Sequence, residues 1–348
     1  MEVAMNNLFQ KFTMAFMAIF LFAEIGCTQT EPSQSATTTP PPTSRRLTVG
    51  NWNVETFFDS VTTGQEYTEF VKSKTWGTEA YIERLKRLCS VIKTLDADIF
   101  VMEEIENEGV LQDISNFLAG EWNSKKLYSY SCFAKDEGSS IGCGVLSRFP
   151  LAGMTIHALD VRSEADAMPR MRPLMQVQVE YNGGQLQLLV NHWKSKSGGE
   201  EKTAPWRLWQ ESVLGTVVRR ITMEQQAVLA CGDFNQDLLE FERTNSVDGI
   251  KLRSRHGQNN AGIASTEVEV HSPWFSAGGL IKPGSYYYND EWSRIDHFFA
   301  AGKAQIESFA PQTNGPWCDT STKVPKRYEI WSGWGYSDHL PIKCVVAF

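Results

Sequence analysis

Two hairpin signals interrupt a run of amphipathic helices in this chain, and that mixture excludes a purely parallel sheet. Residues 174–181 and 185–191 bracket Asn182-Gly183-Gly184, a tight-turn signature. Residues 128–134 and 141–147 bracket Asp136-Glu137-Gly138-Ser139-Ser140 in the same way. Helical patterns lie between and around them. Residues 79–95 carry Ile82, Leu85, Leu88, Ile92 and Leu95 at three- and four-residue spacing. Residues 110–118 read as a shorter helix with Gly120 near its end. Residues 205–221 read as a longer one, with Pro205 suited to its first turn and Trp209, Val213 and Val217 on one stripe. Apolar runs at 47–53, 98–102, 227–231, 294–300 and 342–348 supply further strands. Hairpins combined with helical crossovers predict mixed sheets in an α/β, layered fold.

No internal repeat and no Pro/Ser-rich linker follows residue 45, so residues 46–348 read as one domain. The segment before it is of another kind. Residues 13–25 are mostly apolar and follow Lys11, which suits a signal peptide and is too short for a stable membrane span. Ile25-Gly26-Cys27 looks like the end of a bacterial lipoprotein signal, although Glu24 departs from that pattern. Residues 28–45, rich in Thr, Ser, Gln and Pro, cannot bury a core and read as a tether. The expectation is an exported protein, periplasmic or on the cell surface, held to the membrane by a lipid on Cys27. A plain secretory signal cut elsewhere is the alternative.

Export permits oxidation of the six remaining cysteines. Cys89, Cys231 and Cys344 sit in apolar runs and read as buried thiols, whereas Cys132 and Cys143 flank a hairpin and leave a cross-strand disulfide open. No cysteine spacing resembles a zinc site. The net charge of −8 speaks against holding duplex nucleic acid by bulk electrostatics alone. It does not speak against a site that gathers carboxylates around a metal.

The apolar runs end in chemistry-bearing residues. Asn53 closes the first, and Glu104 follows the second. Asn191-His192-Trp193-Lys194 and Gly232-Asp233-Phe234-Asn235 close two more, Asp296 lies in Ser293-Arg294-Ile295-Asp296, and Ser337-Asp338-His339 precedes the last. Asn53 and Glu55 are two apart, as are Asp233 and Asn235, so each pair shares a face of an extended strand.

In this order the motifs resemble the endonuclease/exonuclease/phosphatase family, over residues 46 to 348. The resemblance implies two mixed β-sheets packed face to face and flanked by helices, a four-layer sandwich. It implies a phosphodiesterase that uses magnesium, with manganese or calcium as substitutes. Such hydrolysis needs an activated water, neutralised phosphoryl charge and a stabilised leaving oxygen. Magnesium takes oxygen ligands and keeps several waters, so one or two carboxylates suffice.

By resemblance Glu104 is the metal ligand, Glu55 stands where AP endonucleases carry a second acidic ligand, and Asp338 is a further metal or water ligand. His192 contacts phosphate and is the candidate general acid, Asp233 orients or polarises the water and Asn235 fixes the phosphate. Asp296 orients His339, the general base. Asn53, Arg172 and Lys194 meet substrate. His297 stands where the family commonly has Tyr, a departure that bears on packing. The match of residues 191–196 and of Arg207-Leu208-Trp209-Gln210 to bacterial secreted nucleases favours nucleic acid as substrate. A lipid-headgroup phosphodiesterase of the sphingomyelinase type is the runner-up, and a binding lipoprotein without catalysis is the third reading. No protein partner is indicated. Trp317, Trp331 and Trp334 precede Asp338 and suit either lid packing or a stacking or membrane-facing role.

Overall fold

Strand alternation places apolar residues on two faces of every central strand here, which requires a layer on each side. The computed structural model describes residues 45–123, 126–159, 171–242, 251–255 and 267–348. The signal segment, Cys27 and the tether up to residue 44 lie outside the described residues. Among the described residues, no helix is long and apolar enough to cross a membrane.

One sheet contains β1 (Arg46–Phe57), β2 (Ile99–Ile105), β3 (Tyr130–Ala134), β4 (Gly142–Ser147), β16 (Gln305–Pro311) and β17 (Ile342–Ala347), in the order β16-β17-β1-β2-β4-β3. The other contains β5 (Leu151–His157), β6 (Leu174–Tyr181), β7 (Gly184–His192), β8 (Ala227–Asp233), β9 (Lys251–Arg255), β10 (Glu267–His271) and β15 (Asp296–Gly302), in the order β5-β6-β7-β8-β15-β10-β9. Two short hairpins join β11 (Phe275–Ser276) to β12 (Gly279–Leu280) and β13 (Tyr286–Tyr288) to β14 (Glu291–Ser293). Among the described residues the α-helices are α1 (Thr68–Val71), α2 (Thr78–Leu95), α3 (Glu108–Ala119) and α4 (Glu200–Met223). Both large sheets are mixed, since β1–β2 and β7–β8 are parallel pairs with antiparallel neighbours. The sandwich inferred from the motifs is the observed architecture.

Period two sorts β1 and β2 between layers. Leu47, Val49, Ile99 and Val101 join the core that also holds β7 and β8 residues. Trp52, Val54, Phe100 and Met102 turn the other way and pack with Leu85, Leu88 and Ile92 of α2 and Val110 and Ile114 of α3. On the far side, α4 buries Leu214, Val218 and Ile221 in the first core.

Several expectations need correction. Ile82 is 40% exposed, and the buried stripe of α2 instead runs through Tyr81, Arg84, Leu85, Leu88 and Ile92. Trp209 is likewise partly exposed, because α4 buries Arg207, Gln210, Leu214, Val217 and Ile221. That helix starts a turn before Pro205, where Glu200 and Glu201 suit the positive end of its dipole. The Asn182-Gly183 turn holds, with both residues at positive φ. No disulfide joins Cys132 to Cys143: the hairpin sets Cys132 opposite Val145 and Cys143 opposite Ala134, and both thiols are free. Strands β5 and β16 carried no clear sequence signal. Both are sheet edges with mostly exposed side chains, so no apolar alternation marks them.

His297 does serve packing. Its ring stacks on Phe299 at 4.9 Å and meets Phe234 and Phe241 edge-on, and its Nε2 bonds the Gln236 carbonyl at 2.9 Å. Burial pushes this imidazole down to about 4. The unfolded chain takes up a proton near pH ~6.5, so its contribution to stability is complete above that and is lost as pH falls toward 4. His297→Phe should remove about 2–3 kcal/mol of the stability lost between pH 7 and 4.5. Urea midpoints at the two pH values measure it, and equal losses in wild type and variant would contradict it.

Candidate active site

The parallel strands β1, β2, β7 and β8 all end at one edge of the sandwich. Register there does most of the positioning. His192, Asp233 and Asp296 lie in one row across β7, β8 and β15. Gly232 permits the close pairing beneath that row. Its φ is +135°, and a Cβ there would stand 1.9 Å from the Asn191 carbonyl oxygen.

The facing sheet reaches the same edge through broken register. Alternation places Asn51, Asn53 and Glu103 between the sheets and would turn Glu104 outward with Met102. Register shifts occur after Asn53 and after Glu103, and Glu55, Thr56 and Glu104 all adopt positive φ. Glu104 consequently turns back toward Asn53. Its Oε1 accepts from Asn53 Nδ2 at 3.2 Å and its Oε2 from the Thr56 N–H at 2.7 Å.

Asp233 is the meeting point. Asn53 Nδ2 donates to its Oδ2 from across the sandwich at 3.0 Å. Asn235, also at positive φ, donates through its backbone N–H to Oδ1 at 2.8 Å and through Nδ2 to Oδ2 at 3.0 Å. His192 Nε2 lies 3.7 Å from Oδ2 and 3.8 Å from Glu104 Oε1. His339 Nε2 lies 4.0 Å from the same Oδ2. Burial lifts Asp233 to about 7, against the pull of His339 and these donors.

Opposite electrostatic settings separate the two histidines. Burial, with Arg172 and His339 nearby, holds His192 well below the usual imidazole range. Burial would also lower His339, but Asp296 overrides it with charge and a 2.8 Å bond to Nδ1, and Asp233 and Asp338 add to the effect. His339 therefore lies well above the usual range. Its backbone N–H donates to Ser337 Oγ at 3.0 Å, and that hydroxyl donates to the Asn53 carbonyl at 2.6 Å. The last motif is thus tied directly to the first.

The remaining sequence candidates surround this centre. Asp338 Oδ1 stands 3.9 Å from His339 Nε2. Arg172 donates to the Trp193 carbonyl at 3.2 Å. Lys194 reaches Ser195 at 3.3 Å, and burial together with Arg172 and Arg207 lowers its ammonium. Lys196 is taken up by Glu200 and Glu240. Glu55 is engaged at both oxygens, by Arg327 Nε at 2.5 Å and the Tyr328 N–H at 2.9 Å. Burial and Asp338 lift it to about 7. Trp317 is buried, whereas Trp331 and Trp334 are exposed.

Among the described residues, no cluster of three or more His, Cys, Asp or Glu forms a ready metal cage. A water-rich magnesium ion still fits the donor set. Glu104 is partly open, and each of its oxygens has one donor among the described residues, so each keeps acceptor capacity. Glu55 fits less well, because Arg327 and Tyr328 already occupy it.

Sequence reasoning missed Arg84. It is buried, donates to the Thr56 carbonyl at 3.0 Å and the Val54 carbonyl at 3.2 Å, also bonds the Glu55 carbonyl, and lies 3.6 Å over the Tyr328 ring. It therefore secures the irregular end of β1. The available signal was an arginine within the apolar stripe of α2, three residues after Tyr81 and four before Leu88.

A layered α/β sandwich with asparagines, carboxylates and two histidines at its open edge defines a hydrolase of phosphoric esters. The chain belongs to the Endonuclease/Exonuclease/phosphatase family, whose sequence model matches residues 48–307. Similar solved structures include TDP2 from C. elegans, with a TM-score of 0.54 and 14% identity over 87% of this chain and 75% of that one. The human Nocturnin catalytic domain gives 0.52 and 16%, over 87% and 94%. An endonuclease/exonuclease/phosphatase from Beutenbergia cavernae gives 0.51 and 15%, over 87% and 72%. No curated protein matches the sequence.

The Asp296–His339 bond makes a sharp prediction. His339→Ala should lower kcat by about 10²–10⁴-fold. Asp296→Asn should cost less, by releasing the same ring, and the double variant should match His339→Ala alone. Steady-state rates on one substrate measure all three, and multiplicative losses would show that Asp296 serves another group.

Proposed function

We propose that this protein is an exported, magnesium-dependent phosphodiesterase that hydrolyses DNA or RNA. The observation that carries this reading is the convergence of Asn53, Glu104, His192, Asp233, Asn235 and the Asp296–His339 pair on one edge. In this reading Asp233 orients the attacking water, and His339 accepts its proton when neutral, held in one tautomer by Asp296. Neutral His192, Asn53 and Asn235 place the phosphate, and Arg172 and Lys194 add positive charge on the His192 side. Glu104 would hold magnesium, with Asp338 as a further ligand; when bound, the ion neutralises charge on the phosphoryl oxygens. The signal-like segment and Cys27 support export with a lipid anchor. Exposed Trp331 and Trp334 favour a second reading, in which the same chemistry acts on a phospholipid headgroup at a membrane surface.

Incubating the purified protein with plasmid DNA, RNA and sphingomyelin, with and without magnesium, separates these readings. The expected result is nucleic-acid cleavage that EDTA abolishes and magnesium restores. Glu104→Gln should lower activity and raise the magnesium concentration needed for half-maximal rate. Sphingomyelin cleavage without nucleic-acid cleavage would replace the first reading by the second. Activity unchanged in EDTA would remove the metal from both.

A further inference from the structure

Tyr286, Tyr288 and Arg327 border the site without belonging to the set assigned above. Alternation along β13 turns Tyr286 and Tyr288 to one face, where their rings stack 6.3 Å apart at 17°. Tyr287 turns the other way, onto Trp292 at 5.1 Å. The Tyr286 ring packs against His339 at 4.8 Å, and the two residues form a backbone bridge. Tyr288 is 63% exposed. One ring of this ladder therefore touches the site's imidazole, and the next stands open to solvent.

Arg327 supplies charge on the same side. Tyr286 is bridged to His339, the neighbour of Asp338 in the chain, and burial and Asp338 push its phenol up while Arg327 pulls it down. The Arg327 side chain is 70% exposed, yet its Nε is fixed on Glu55, whose side chain is only 9% exposed and is also held by the Tyr328 N–H. A guanidinium anchored through one nitrogen keeps the other two for a planar anion.

We propose that Tyr286, Tyr288 and Arg327 form a nucleotide subsite for single-stranded nucleic acid beside the scissile phosphate. A base stacks on Tyr288, Arg327 takes a neighbouring phosphate, and Glu55 acts as the anchor of Arg327. The inference rests on the nuclease reading of the adjoining site. It favours a polyanion over a choline headgroup. The anchored guanidinium offers N–H donors to a phosphate and no acceptor or partner to a quaternary ammonium.

Binding of a fluorescent single-stranded oligonucleotide, measured by anisotropy in EDTA so that it is not cleaved, tests this directly. Tyr288→Ala should weaken binding about 5- to 100-fold, and Tyr288→Trp should restore it. Arg327→Gln should weaken binding and reduce the salt slope by about 0.7, the loss of one phosphate contact on a single strand. Tyr130→Ala, an exposed tyrosine on the edge strand β3, should match wild type. In magnesium, Tyr288→Ala should lower kcat/KM more than kcat. Unchanged affinity and salt slope in both variants would overturn the subsite while wild-type cleavage of the same oligonucleotide left the nuclease reading standing. Wild-type protein that neither binds nor cleaves it, but binds sphingomyelin vesicles through Tyr288, would overturn both.

Discussion

A carboxylate buried between two sheets needs compensation, and Asp233 receives it from every part of the site. Removing such a charge from water is costly unless donors replace the lost solvent. Asn53 donates from one sheet and Asn235 from the loop after β8, while His192 and His339 stand near the same oxygen. Asn53 belongs to the first motif and Asn235 to Asp233's own, so satisfying Asp233 ties the two sheets together at this edge. Burial still dominates and lifts its pKa, against the pull of these donors.

The opposite sheet meets this demand by departing from ideal geometry. A regular strand would present Asn53 and Glu104 on opposite faces. Positive φ at Glu55, Thr56 and Glu104 brings them together, and such conformations persist only where surrounding contacts over-determine them. Arg84 provides several of those contacts, bonding consecutive carbonyls of the bulge while its guanidinium lies between Tyr328 and Phe57. Glu55 provides another by tying the bulge to Arg327 and Tyr328. The site edge is thus held from behind by a helix and from the side by the loop that leads to Asp338 and His339.

Much of this was legible in the sequence, for a specific reason. Apolar runs that stop at Asn53, Glu104, His192 and Asp233 mark strand ends, and polar residues at strand ends face the sheet edge. The Asn182-Gly183 turn and the helix of residues 79–95 carried equally local signals. What escaped depends on three-dimensional context. The broken register after Asn53 and Glu103 has no signature in a single sequence. Ile82 obeyed the helical period yet lies at the margin of the buried stripe. Cys132 and Cys143 flank one hairpin, but their pairing depends on a register that a seven-residue connection does not fix. Arg327 lies 272 residues from Glu55, and no local pattern links them.

If Asp233 organises the reaction as well as the fold of the site, one substitution isolates that role. Asp233→Asn keeps the shape and, with its amide oxygen toward Asn53, the cross-sheet contact, while it removes the carboxylate's charge and the acceptor of the Asn235 N–H. Its rate on plasmid DNA at saturating magnesium should fall at least about 10²-fold, with a cooperative thermal transition retained and oligonucleotide affinity near that of wild type. A rate within a few-fold of wild type would contradict the account.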